Sequence, residues 1–123
     1  MSRATAACLI VLAAAPLQAS QPISTSLMEC GAIFDELADI AARRGRSAAD
    51  IEKADKAAWA FREAALIEAE REGRAAEALD PVGVAMAKKW DGRFTDVLRL
   101  GENKDWIDYC NALGKDRGVL PIE

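Results

Sequence analysis

The stretch SLMECGAIFDELADIAARRG, residues Ser26 to Gly45, decides how the chain folds. Leu27, Cys30, Phe34, Leu37 and Ala41 recur at intervals of three and four, which gathers them on one side of an α-helix. Ile33 and Ile40 widen that stripe, and Asp35, Glu36 and Asp39 fall on the other side. Ser26 and Glu29 have the S-x-x-E spacing of a capping box, in which each side chain satisfies a free backbone N–H of the first turn. Arg43, Arg44 and Gly45 supply positive charge and a terminator at the far end. The spacing therefore predicts a helix over 26–43 with Cys30 facing the core.

The same signals recur downstream. Ser47 with Asp50 opens a second helix over 48–72, whose stripe of Ile51, Ala54, Ala58, Phe61, Ala65 and Ala69 is small enough for a neighbouring helix to approach closely. Asp80-Pro81 opens a third over 81–100, with Val82, Met86, Trp90, Phe94 and Val97 inward. Gly92 lies inside it at a cost of about 1 kcal/mol relative to alanine, so Asp91-Gly92 is its weak point. Asn103 caps a fourth over 104–113, where Trp106, Tyr109, Cys110 and Leu113 share a face and Gly114 is the expected terminator. Residues 114–123 form a short irregular tail. No strand-like alternation or internal repeat interrupts the pattern, so the expected fold is all-α: a small antiparallel four-helix bundle.

The first 19 residues carry one charge, Arg3, then an apolar run from Ala4 to Ala15, Pro16, and Ala19 before Ser20. This has the form of a secretory signal cleaved after Ala19, and the run is shorter than the roughly 20 residues of a membrane-spanning helix. Cleavage leaves one domain over 20–123, with no transmembrane segment, in the periplasm or outside the cell. It also removes Cys8. Cys30 and Cys110 remain, and in an oxidising compartment an even count predicts a disulfide. The first and fourth helices of an up-down-up-down bundle place them at one end.

The chain has 16 basic and 20 acidic residues, and losing Arg3 leaves 15 against 20, a net −5. That balance argues against nucleic acid or an anionic membrane as the main partner. The sequence contains no histidine, which removes Ser-His-Asp and Cys-His nucleophilic sites and His-ligated zinc. No glycine pattern forms a phosphate cradle. The carboxylate pairs Asp35/Asp39 and Glu68/Glu72 lie one helical turn apart and read as solvated faces rather than cation sites. Arg43, Arg44 and Arg46 complement a helix end, although arginine forks also suit oxyanions. No catalytic residue, metal site or cofactor is expected.

Trp59, Arg62 and Leu66 stand apart from the second helix's stripe. Trp59 and Leu66 are seven residues apart on one side, with Arg62 between the two faces: either the core is wide here and Arg62 snorkels out along it, or the pair forms an exposed apolar strip for a partner. Tryptophan and arginine dominate binding hot spots. The expected function is thus an exported, non-enzymatic helical module that contacts an unidentified protein partner through Trp59, Leu66 and Arg62. The alternative is a carrier of a small apolar ligand held between helices beside Trp90, Phe94, Trp106 or Tyr109.

Overall fold

The computed structural model describes residues 21–94 and 101–122; the expected signal segment and its expected cleavage point lie outside them. Among the described residues the chain is all-helical, with α1 at Ile23–Arg43, α2 at Ala48–Arg71, α3 at Asp80–Trp90 and α4 at Lys104–Asp116. A 3₁₀ turn at Ala76–Leu79 leads into α3. None of these helices is long and apolar enough to cross a membrane.

Helix α1 is the spine, and it begins three residues before the expected start. Pro22 holds the cap position, and the Ser26 N–H already donates to the Pro22 carbonyl at 3.1 Å. The capping box therefore has nothing to cap. Ser26 and Glu29 are instead buried, and both accept from the side-chain amide of Gln21, at 3.1 and 2.9 Å. The first turn is capped from across the molecule by Glu72, which accepts from the Ser24 N–H at 3.1 Å and the Ser24 hydroxyl at 2.5 Å. Arg74 completes the cluster, donating to the hydroxyls of Ser24 at 2.6 Å and Thr25 at 3.1 Å.

These contacts place the end of α2 beside the start of α1, so the two helices form an antiparallel hairpin. Ser47 caps α2 as expected by accepting from the Asp50 N–H at 3.2 Å. The close approach allowed by the alanines shows at Gly31, where an added Cβ would lie 3.2 Å from the Arg62 stem and 3.3 Å from the Ala58 carbonyl. Phe61, Ala65 and Ala69 of α2 join Leu27, Cys30 and Ile33 of α1 in the core.

Helix α3 is half the expected length. It stops at Trp90, and Gly92 turns the chain with φ of +72°, a left-handed conformation open to glycine at little cost. The Gly92 N–H then donates to Glu36 Oε1 at 2.8 Å. Residues 95–100 lie outside the described residues. The cap position of α3 falls to Leu79 rather than Asp80, because the 3₁₀ turn runs directly into the helix.

Helix α4 lies across the other three. At its start Trp106 meets Trp90 of α3, with ring centroids 5.5 Å apart. One turn on, Cys110 is bonded to Cys30 of α1. Beyond that, Gly114 packs on Phe61, and Arg117 donates to Glu68 Oε1 of α2 at 2.7 Å. The disulfide therefore ties together residues 80 apart, both fully buried.

Gly114 does not terminate α4; the helix continues to Asp116, and Gly118 takes the positive φ of +73°. The Val119 N–H closes the end by donating to the Gly114 carbonyl at 2.8 Å. Asn103 does hold the cap position of α4, but its side-chain amide reaches the Arg93 carbonyl at 3.3 Å.

Candidate functional site

Among the described residues, three clusters bear on the expected partner contact and on the carboxylates. The first is the outer face of α2. Trp59 is 66% exposed and Leu66 46%, and about 10 Å of helix axis separates them. Trp59 is the one exposed aromatic among the described residues. Arg62 crosses the notch at Gly31 to pair with Asp35 of α1, which fixes its guanidinium 6.0 Å from the Trp59 ring centroid. Asp35 is thus spent on a structural ion pair. Ile67 and Val84 add further exposed apolar side chains, at 54% and 72%.

The second is the buried carboxylate of Glu29. Its Oε2 accepts from Trp90 Nε1 at 2.7 Å and from Lys89 Nζ at 2.6 Å, and Gln21 occupies Oε1. The Lys89 ammonium lies 5.5 Å from the Trp90 ring centroid and 5.1 Å from that of Trp106, near enough for cation–π attraction to both. No buried side-chain polar atom among the described residues lacks a partner. Every oxygen of Glu29 is committed, so it serves as a packing anchor and has no free face for a substrate.

The aromatic residues expected to line a ligand space pack against one another. Trp90 stacks on Phe94 at 5.5 Å, and Trp106 meets both Trp90 at 5.5 Å and Tyr109 at 5.7 Å edge-on. The Glu68/Glu72 pair is also structural: Glu68 accepts from Arg71 and Arg117, and Glu72 caps α1. In Glu72, burial acts to raise the pKa, but the Ser24 hydrogen bonds and Arg74 outweigh it, so the carboxyl titrates below its ordinary value.

The third is an acidic recess formed by Asp35, Glu36, Asp39, Asp55 and Asp91, with Lys88 beside them. Burial, joined by the charges of Asp39 and Asp91, raises the Glu36 pKa against the opposing Gly92 N–H and Arg43. Among the described residues, no three His, Cys, Asp or Glu side chains are grouped to hold a metal ion.

Sequence spacing singled out Trp59 and Leu66 as off the α2 stripe, which the structure leaves exposed, but gave no role in the core to Glu29 and Glu36. A signal was present: both share a helical register with the core residue Ile33, and α3 packs its end onto that register. Comparison with protein families, curated proteins and solved structures found no match to this chain.

Proposed function

We propose that the chain is an exported, non-enzymatic helical module, periplasmic or secreted, that acts by binding another protein through Trp59, Arg62 and Leu66 on α2. The supporting observation is the exposure of Trp59 beside an arginine already fixed by Asp35. Covering an indole of this size yields about 2–4 kcal/mol, more than most single surface contacts. Because Asp35 has already ordered Arg62, binding does not have to immobilise that long side chain. The partner surface that fits is an apolar pocket for the indole with a second apolar contact for Leu66. The buried Cys30–Cys110 disulfide and the signal-like first 19 residues support export.

A photoreactive phenylalanine at position 59 tests this in the cells that express the protein, with the same group at exposed Glu77 as control. The expected result is one discrete adduct from position 59 that disappears when Leu66→Asp is added. An adduct of twice the chain's mass identifies the partner as a second copy. Equal adducts from 59 and 77, or none from 59, overturn the proposal.

A further inference from the structure

On the opposite side of α2 from Trp59 lies a groove of about 540 Å³, within the roughly 300–1,000 Å³ of small-molecule sites. Its origin is the path of α4. Tied to α1 at Cys30 and crossing toward Glu68, α4 leaves the α1–α2 turn end of the hairpin uncovered. There the outer edge of the α1 stripe, Phe34, Leu37 and Ala41, stays half-buried. These residues and Ala54 of α2 form an apolar floor, and Leu120 closes one side. At about 100° per residue, Ala54 and Ala57 lie roughly 140° and 200° around α2 from Trp59, so the groove and the α2 face are separate surfaces.

The rim has the opposite charge to the protein. Arg44, Arg46, Lys53 and Lys115 surround the floor, and Asp50 is the one acid among the lining residues. Asp50 is paired with Arg46 at 3.3 Å, whereas Arg44, Lys53 and Lys115 have no ion-pair partner among the described residues. Three uncompensated cations over an apolar floor, in a chain with net charge −4, call for a ligand with an apolar body and an anionic end.

We propose that this groove binds a single-chain anionic amphiphile, its hydrocarbon chain on Phe34, Leu37 and Ala54 and its carboxylate or phosphate head among Arg44, Lys53 and Lys115. A groove of about 540 Å³ is matched in size by one such chain, whereas an amphipathic helix of a partner is about 10–12 Å across with its side chains.

Calorimetry with the purified chain tests this at amphiphile concentrations below micelle formation. Dodecanoate and dodecyl phosphate represent the two sources of head group; dodecanol, butyrate and inorganic phosphate isolate the chain and the head. We expect one-to-one binding of at least one of the two amphiphiles, and binding at least tenfold weaker for dodecanol, butyrate and phosphate. Preference between the two amphiphiles identifies the head group. Arg44→Glu with Lys115→Glu should weaken binding at least tenfold, and the charge-matched pair Lys88→Glu with Lys104→Glu, outside the groove, should leave it unchanged. Ala54→Trp should abolish it by filling the floor; if that variant does not fold, the rim pair decides. The proposal is overturned if neither amphiphile binds, if dodecanol binds equally well, if the rim pair has no effect, or if only an acidic amphipathic peptide binds.

Discussion

The indole N–H of Trp90 donates to Oε2 of Glu29 at 2.7 Å, and both side chains are closed to solvent. Lys89 donates to the same oxygen but remains 41% exposed on its side chain. The two ends of this ion pair therefore differ in what their loss leaves behind. Removing Lys89 strands a buried carboxylate; neutralising Glu29 leaves an ammonium that can turn to water.

Lys89→Met should accordingly cost more stability than Glu29→Gln. Loss of one partner from a buried pair costs about 3–5 kcal/mol, and Trp90 and Gln21 still donate to Glu29, so about 2–4 kcal/mol is expected for Lys89→Met. Glu29→Gln keeps the shape and an acceptor and should cost about 1–2 kcal/mol. Urea unfolding of both variants and their double mutant checks this. The double mutant should lose less than the sum, because the residues share one interaction; equal single costs with strict additivity would refute the asymmetry.

The Cys30–Cys110 bond closes a loop with a sequence separation of 80. Loop closure of that length stabilises by about 4–5 kcal/mol through the unfolded state, against a total of about 5–15 kcal/mol for a domain. Cys30→Ala, Cys110→Ala and the double variant should each lose nearly the same amount, since all three remove one crosslink. Thermal melts without reductant measure this. A double variant much less stable than either single variant would show that the cysteines act mainly through packing.

Gly114 is where local reading and tertiary structure part most clearly. An added Cβ would lie 2.7 Å from Leu120 and 2.9 Å from Phe61. Gly114→Ala gains up to about 1 kcal/mol of helix propensity. Overpacking costs about 1–3 kcal/mol, and Phe61 is fully buried and cannot swing away. The expected outcome is a net loss of about 1–2 kcal/mol, with faster amide exchange at Val119 and Leu120, whose N–H groups both donate to the Gly114 carbonyl. Unchanged exchange at those amides would mean that the tail does not depend on this contact.

Residues 27–41 show why the helices and the disulfide were legible and parts of the candidate sites were not. Three-and-four spacing records which side of a helix is apolar, and it placed Leu27 and Cys30 in the core correctly. It does not record how far a neighbour covers that side. Phe34 and Leu37 belong to the stripe yet line an open groove, because α4 crosses at Cys30 and leaves them uncovered. Nor does it tell a glutamate facing water from one awaiting a distant donor: Glu29 needs Trp90, 61 residues away, and Glu36 needs Gly92, 56 away. Ser26 and Glu29 satisfied a local capping pattern that Pro22 had made redundant. The spacing marked Trp59 as off the stripe of its own helix but left open whether a wide core or solvent would meet it; the structure leaves it exposed, because α1 approaches α2 on the other side.

The two glutamates with displaced pKa values should push stability in opposite directions with pH. Glu72 titrates below its ordinary 4.5, so its contribution is present above that value and is lost as pH falls through the lower folded pKa. Glu36 titrates above 4.5, so folding favours its protonated form; that contribution is full below 4.5 and disappears as pH rises through the higher folded pKa. At neutral pH the Glu36 charge is therefore a net cost. Glu36→Gln keeps an acceptor for the Gly92 N–H while removing repulsion by Asp39 and Asp91, and it should raise stability at pH 7 by a few tenths of a kcal/mol, about 0.2–0.5 for each close like-charge neighbour. Glu72→Gln weakens the cap on α1 and should lower stability at pH 7 by about 0.5–2 kcal/mol, with the deficit shrinking in acid once wild-type Glu72 is itself protonated. Urea unfolding at pH 7 and pH 3 separates the two effects. A destabilised Glu36→Gln at pH 7, or a Glu72→Gln deficit that grows in acid, would contradict this assignment of signs.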